Sequence, residues 1–442
     1  MKKDCFFVIF VYLVFTISIS YAQKQVVNQK ENQQNDSIIH SLITILDTYY
    51  VLSDKGREMT NILKKQIKAG AYKSILNPDE LATTLEKDIK SVYPDKHLSI
   101  FYDPEFEQNL KASPSKKDKK NELDNELAYE RAHNFMFTTV KILPRNIGYV
   151  QLNGFADLIE QAEPTTTAAF SFLAHTNAII VDLRFNGGGN PKMVQQVESY
   201  FFKNKTHMSD IQERFNNKTT TFYTDPAKAK GISLTMPVYI LTSKRTFSGG
   251  EDFSYSMQQI KRAQIVGDTT AGGAHPTRPI SFKGGFVAEI PYAQSMNPYS
   301  KKNWEGTGVI PDLPVQSSRA LEKALETIYL KELAISTNDK EKRSIQWQIN
   351  ALKASHENSN QIDLLEKFCG EYQGGLQIYL KHGSLYCRNS ERDNDIFLLV
   401  PINTHLFILD ENVQAEFIEE GNKNIKLRMH FIDGNLRDKT KL

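Results

Sequence analysis

The stretch from Val238 to Ile260, VYILTSKRTFSGGEDFSYSMQQI, most narrows what this chain can fold into. An apolar run of strand length, Val238 to Leu241, passes through a short polar turn into Ser248-Gly249-Gly250. Phe253, Met257 and Ile260 then recur at helical spacing. A buried strand that feeds a helix needs a layered α/β core around it. The same pattern sets a serine where strand hands over to helix. Paired glycines there let another backbone approach closely, and the first helical turn leaves N–H groups free to face an anion. This is the geometry of an acyl-transfer nucleophile. Ser248 with Glu251 three residues on is also a capping box, which satisfies the orphan donors of the helix.

The alternation extends in both directions. Ile147 to Leu152 and Ala178 to Leu183 read as strands, Leu158 to Leu173 as a helix, and Val194, Val197 and Phe201 as the apolar face of another. Ala263 to Val266 supplies a further strand, and Ala320, Leu321, Ala324, Leu325 and Ile328 a helix that closes the core. Upstream the period is helical throughout. Ile38, Leu42, Ile45 and Tyr49 mark one helix, and Met59, Ile62, Leu63 and Ile67 a second. A third opens on Asn77-Pro78-Asp79-Glu80, with an N-cap, a proline at the first position and a capping glutamate. The charged run Lys116 to Glu130 reads as a solvated loop or exposed helix. Downstream, Ile425, Leu427, Met429 and Phe431 alternate with polar residues before an Asp433-Gly434 turn, which is a half-buried antiparallel sheet.

The expected division is therefore an N-terminal helical domain with linker over 23–142, an α/β core over 143–336, a linker helix over 337–364 and a small β domain over 365–442. Residues 1–22 read as a secretory signal, with Lys2 and Lys3 ahead of the apolar Phe6 to Ile19 and a Ser20-Tyr21-Ala22 cleavage site. The mature chain is expected to start at Gln23, to carry no other membrane segment, and to be periplasmic or extracellular. A formal net charge of +2 over 442 residues gives no support for nucleic-acid binding. Cys369 and Cys387 face an oxidising compartment after export and are a candidate disulfide, or else buried thiols. No His-Glu-x-x-His and no thiolate cluster points to a metal, and no cofactor is implied.

A serine hydroxyl is a poor nucleophile at neutral pH, so Ser248 needs a base, an orienter for that base, and N–H donors for an oxyanion. Asp182-Leu183-Arg184-Phe185-Asn186-Gly187-Gly188-Gly189 follows a strand and precedes a helix, which suits backbone N–H groups presented at a sheet edge. Two histidines are placed to serve as base. His97 lies in Tyr93-Pro94-Asp95-Lys96-His97-Leu98, and His275 in Gly272-Gly273-Ala274-His275-Pro276. Spacing does not choose between them.

Four motifs resemble, in order, those of the tail-specific or C-terminal-processing serine proteases. They are Asp182-Leu183-Arg184 with its glycines, Thr242 to Glu251, Val266-Gly267-Asp268-Thr269-Thr270-Ala271-Gly272-Gly273, and Gly306-Thr307-Gly308-Val309-Ile310-Pro311-Asp312. The chain is most similar to the branch with the tricorn core and the interphotoreceptor retinoid-binding protein, which has an N-terminal helical bundle and no obvious PDZ insertion. The resemblance spans about residues 36–330 and implies a crotonase-like ββα-spiral core. It makes Ser248 the nucleophile, His97 the general base and Glu305 the orienter, with an oxyanion hole at the N–H groups of Gly249 and Gly188. The branch with a Ser-Lys dyad carries a lysine where this chain has Gly273. Lys96 stands where the tricorn pattern has a serine that helps to hold the imidazole.

The function so implied is an exported serine-type peptidase acting on peptides or proteins through an acyl-enzyme, with Gly273 and His275 as possible substrate-site residues. Two alternatives share the scaffold: a lipid- or retinoid-binding module without catalysis, and a crotonase-like acyl-CoA enzyme.

Overall fold

The computed structural model describes residues 34–112, 116–354, 365–391, 393–420 and 424–442. The segment read as an export signal lies outside them. The chain divides into two compact units, one running through Ile142 and resuming over Gly148–Pro314, the other made of Leu143–Ile147 and Val315–Leu442.

The first unit opens with α1 (34–49), α2 (Ser53–Ala69) and α3 (Pro78–Lys90). Asn77 accepts the Asp79 and Glu80 N–H groups at 2.8 and 3.2 Å and starts α3, while Gly70, at φ 72°, terminates α2. Leu42, Leu46, Met59, Leu63, Leu85 and Ile89 bury the inner faces, and the same cluster takes in Phe282, Phe286, Ala288 and Ile290 from far downstream. β1 (Ser99–Tyr102) continues from this bundle, followed by α4 (Pro104–Lys111) and α5 (Lys116–Ala132). The charged run is thus the helix α5, and its Glu130 is buried, accepting the Asp157 and Leu158 N–H groups.

Next come β2 (Phe137–Leu143), β3 (Ile147–Leu152), α6 (Ile159–Phe172), β4 (Ala178–Asp182) and α7 (Pro191–Ser199). β5 (His207–Glu213) and β6 (Lys218–Tyr223) precede β7 (Val238–Thr242), α8 (Gly249–Gln259) and β8 (Ala263–Gly267). The unit closes with β9 (Thr277–Ser281), β10 (Phe286–Pro291), β11 (Ala293–Met296) and β12 (Leu313–Pro314). A six-stranded sheet runs β12-β8-β7-β4-β3-β2, parallel from β12 through β4. β4 and β7 are buried at every position, as strands covered on both faces must be.

Two small sheets fill out the unit: β1-β10-β9 and β11-β5-β6. The first pairs Ser99 with Glu289 and Ile100 with Ala288, so the strand that leaves the helical bundle is sewn into the core. The bundle and the core, read from the sequence as separate domains, thus lie within one compact unit.

The second unit holds α9 (Ala320–Ile335), α10 (Asp339–Ala354) and two antiparallel sheets. α10 is no spacer. Its Trp347 carbonyl accepts the buried Gln414 amide at 2.8 Å, and its Ser344 hydroxyl donates to Ile432 O, so the helix belongs to the β region. The first sheet is β13 (Gly370–Tyr372), β14 (Leu376–Lys381), β15 (Ser384–Asn389) and β16 (Asp395–Leu398). The second is β17 (Val400–Pro401), β18 (Leu406–Ile408), β19 (Val413–Glu420), β20 (Asn424–Phe431) and β21 (Leu436–Thr440).

The expected hairpin pairing of Cys369 with Cys387 does not form, and both are free thiols. Cys387 faces Ile378, and Ile378 in turn faces Gly370, so β14 lies between the two cysteines. Two strand spacings place them roughly 9–10 Å apart, beyond the reach of a disulfide. Burial pushes the Cys387 thiol up to about 12. In a chain starting at Gln23, a thiol reagent should titrate Cys369 in the native protein and Cys387 only after unfolding, with the same electrophoretic mobility with and without reductant. Recovery of a Cys369–Cys387 cross-linked peptide would contradict the topology.

Candidate active site

Ser248 stands one residue ahead of α8 with φ 51° and ψ −115°, a left-handed conformation that a non-glycine residue holds only under constraint. Such strain costs about 1–3 kcal/mol and persists where the surroundings over-determine it. The surroundings here are three loops knotted by hydroxyl groups. Thr246 donates to Leu183 O at 2.8 Å, Ser243 donates to Arg184 O, and Thr242 donates to Asp268 O at 2.9 Å. The Phe247 and Ala271 N–H groups complete the knot by donating to Asn186 O and Thr246 O, each at 3.0 Å. The other hydroxyl residues of the second motif are therefore scaffold, and Ser248 is the one that lines the cavity.

Glu251 does more than cap. Its fully buried carboxylate accepts the Ser248 N–H at 3.0 Å, Gly272 N–H at 2.6 Å, Gly273 N–H at 2.9 Å and the Thr270 hydroxyl at 2.5 Å. Burial still raises its pKa to about 7 against these four donors.

The expected oxyanion donors require one correction. The Gly188 N–H is committed to Asn186 Oδ1 at 2.9 Å, and Asn186 is itself fixed by donating to Leu152 O. Gly188, at φ 102°, instead provides room: a Cβ there would lie 2.7 Å from the Ser248 Cβ. The neighbouring Gly189 lines the pocket beside Ser248 and Gly249. Among the described residues, the N–H groups of Gly189 and Gly249 have no recorded acceptor.

His97 lines the same cavity of about 360 Å³, together with Ser248 and Gly273. Its ring stacks on Phe247 at 4.3 Å between centroids, and its backbone N–H donates to Asp95 Oδ1 at 3.0 Å. Burial lowers its pKa to about 4, with nearby His275 acting the same way and Asp95 opposing. The imidazole is thus neutral at pH 7, the state a base requires. Nδ1 is buried without a partner, and no hydrogen bond is recorded between His97 and Ser248.

Glu305 is not on that ring. Its carboxylate accepts the Ala274 N–H at 2.6 Å and lies 3.5 Å from His275 Nδ1. Burial raises its pKa, with His275 partly offsetting. His275, the second histidine candidate, is buried behind the pocket wall with Nδ1 2.8 Å from Asp95 Oδ2, which also accepts the Tyr50 hydroxyl at 2.9 Å. Burial works to raise the Asp95 pKa, but its bonds to His275, His97 N–H and Tyr50 hold it below the usual carboxylate range. Asp95 thereby joins the two histidines, a role its place in the Pro94-Asp95-Lys96-His97 run does not announce. Asp95, His275 and Glu305 bring three donor atoms within 4.8 Å of one another, and their hydrogen bonds to Tyr50, Ala274 and each other already account for that grouping. Lys96 donates to Ala271 O and does not reach the imidazole.

Gly273 explains why no lysine stands at its position. A Cβ there would lie 2.2 Å from Phe247 Cε2 and 2.6 Å from His97 Cε1. Gly273→Ala should therefore drive the imidazole aside, lowering the rate at which a fluorophosphonate probe labels Ser248 by at least about tenfold, with the circular dichroism spectrum unchanged. A labelling rate equal to wild type would show that His97 does not act from this position.

Two family descriptions match the chain: peptidase family S41 over residues 146–315, and the N-terminal domain of S41 peptidases in eukaryotic IRBP over residues 23–141. Among solved structures the chain is similar to a putative peptidase from Parabacteroides merdae, at 18% identity over 69% of this chain and 98% of that one, with a TM-score of 0.49. It is similar also to the photosystem II D1 C-terminal processing protease, at 20% identity over 41% of this chain and TM-score 0.34, spanning about half (48%) of that chain's length. The tricorn protease matches at 12% identity over 73% of this chain and 37% of its own, with a TM-score of 0.41. The two family matches adjoin and run in the order of the bundle and core described above, from which it follows that the chain belongs to peptidase family S41.

Proposed function

We propose that the protein is an exported serine peptidase that cleaves peptide bonds through an acyl-enzyme on Ser248, with His97 as its general base. The observation that carries this reading is the position of Ser248. It is a strained residue ahead of a helix, in a cavity it shares with a neutral histidine and two unoccupied backbone donors. Export is supported by the sequence of residues 1–22.

In this mechanism the His97 imidazole takes the Ser248 hydroxyl proton as Oγ attacks the substrate carbonyl carbon. The negative charge that develops on the carbonyl oxygen faces the Gly249 and Gly189 N–H groups and the positive end of α8. His97 passes its proton to the leaving amine, the acyl-enzyme remains, and water repeats the sequence with His97 again as base. While protonated, the imidazolium draws its nearest counter-charge from Asp95, the carboxylate whose field raises the His97 pKa. Glu305 acts as a positioning residue on the same network, through His275 and the Ala274 backbone.

Ser248→Ala should abolish both probe labelling and peptide hydrolysis by the purified protein. His97→Ala should lower kcat/KM on the order of 100- to 10,000-fold. Retained hydrolysis in Ser248→Ala overturns the assignment, and if saturable fatty-acid or retinoid binding accompanies an unlabelled wild type, the carrier alternative takes its place.

The pH dependence follows from the burial of His97. A base must be unprotonated, and this one becomes protonated only below about 4. The His97 step in the rate of Ser248 labelling should thus have its midpoint near pH 4, below the separate step at about pH 7 where the Glu251 anchor takes up its proton. A midpoint at the ordinary imidazole value would mean that the ring is solvated in the working enzyme.

A further inference from the structure

The C-terminal β region holds a second cavity, and the hydrogen bonds beyond its two sheets define what encloses it. The Leu399 N–H donates to Leu385 O at 2.9 Å, which extends the pairing of β16 with β15, while Val400 already pairs with Ile408. β16 and β17 are thus one continuous strand that joins the sheets along one edge. Along the other edge Tyr372 bridges Lys441, with the Gln373 N–H donating to Thr440 O at 3.0 Å and the Leu442 N–H to Glu371 O at 2.8 Å. With β16 and β17 counted as one, the four-stranded and five-stranded sheets close into an up-and-down barrel of eight strands.

A barrel of that size is filled by its own side chains or holds one small ligand. Both occur here. Phe368 is fully buried and stacks on Phe417 at 4.3 Å between centroids, and its carbonyl accepts the Tyr372 hydroxyl at 2.9 Å. Where β14 and β19 begin, the filling stops. A cavity of about 150 Å³ lies there, lined by the buried Leu376, Leu409, Val413 and Met429 and the half-buried Phe397.

The rest of the lining is charged. Arg437 stands opposite Met429 and Lys439 opposite Leu427, and directly opposed residues share a face, so β21 turns two cations inward. The Arg437 guanidinium lies over the Phe431 ring, 5.1 Å from its centroid, and Lys439 Nζ takes the space that a Cβ at Gly374 would need. Among the described residues neither cation has a carboxylate partner. Asp410, also on the lining, accepts the Asn412 N–H of its own turn at 2.8 Å, and Glu391 is exposed. Unpaired lysines and arginines are ordinary where solvent surrounds them. Two of them on the inner face of a barrel, beside an apolar cavity, have the arrangement of a pocket with a polar anchor. A cavity of this volume takes a group about the size of benzene, which limits the tail to a phenyl ring or about six carbons.

We propose that the C-terminal barrel binds a small amphipathic carboxylate, its apolar tail among Leu376, Leu409, Val413 and Met429 and its carboxylate on Arg437 and Lys439. The site lies wholly within the second unit and does not depend on the peptidase reading of Ser248.

The test uses the mature chain, isotope-labelled at its methionine methyl groups and titrated with phenylpropanoate, hexanoate and the alcohols and amines of the same skeletons. Both acids should bind saturably with Kd at or below about 1 mM and shift the Met429 methyl signal, which Met429→Leu identifies by its disappearance. The alcohols should bind at least about tenfold more weakly. Arg437→Gln combined with Lys439→Gln should weaken the acids at least about tenfold and leave the alcohols unchanged. Equal affinity for acid and alcohol, tighter binding of the amine, or acid binding unchanged in the double variant overturns the proposal. So does a Met429 signal that stays in place when the acids are in millimolar excess. Should the double variant fail to fold, the wild-type ranking of acid, alcohol and amine decides alone.

Discussion

The site depends on one buried carboxylate that takes no part in bond-making. Glu251 gathers the Ser248, Gly272 and Gly273 N–H groups and the Thr270 hydroxyl onto two oxygens. These donors come from the start of α8 and from a loop about twenty residues downstream. Thr270 passes the restraint on by accepting the Val309 N–H at 2.7 Å, and the Gly273 carbonyl accepts the Trp304 indole N–H at 2.7 Å. Ser248, the pocket wall and the turn that carries Glu305 thus share one electrostatic anchor. Without it, three backbone donors would be buried unmet, each costing about 1–3 kcal/mol. The left-handed backbone at Ser248 is tolerable because Glu251 and the hydroxyl knot hold both of its sides.

His97 reaches this anchor from the other end of the first unit, 151 positions before Ser248 in the chain. Its placement is a matter of strand pairing. β1 begins two residues after His97 and is fixed to β10 by register, and Asp95 fixes the backbone N–H of His97 itself. The helical bundle contributes the Tyr50 hydroxyl that helps to hold Asp95. Catalytic geometry and the packing of the bundle on β10 are therefore coupled, which is a physical reason for the two to fold as one unit.

Much of this architecture is legible in the sequence where periodicity is strong. The helices of the bundle, the buried strands β4 and β7, and the Ser248 turn all follow from spacing and caps. β5, β6, β9 and β11 escape such reading because polar residues fill them: Lys218–Tyr223 is KTTTFY, and Ala293–Met296 is AQSM. Their strand state is imposed by neighbours rather than by an apolar pattern. The turn at Ser248 was legible, but its spacing fits a capping box as well as a nucleophile, and it is the other three motifs of the resemblance that weigh between them. That the Gly188 N–H is already committed was not, since this depends on where the Asn186 side chain points. Asp95 was equally hidden, because its place between the two histidines comes from burial and partners that no local spacing encodes. α10 misled for the opposite reason. Its polar face suggests a free helix, whereas Ile345, Trp347 and Ile349 supply a buried stripe.

The position after the Val266-Gly267 motif separates two ways of activating a serine. A lysine base would have to occupy the volume at Gly273 that the His97 ring and Phe247 fill. The two bases are mutually exclusive by sterics, so a chain with a histidine at 97 needs glycine at 273. Lys96 obeys the same constraint. Its amine is tied to the Ala271 carbonyl and does not line the cavity, where a cation would depress imidazole protonation further. What this leaves in the cavity wall beside Ser248 is the His97 ring and the Gly189 and Gly249 backbones, with Gly273 providing the room the ring needs.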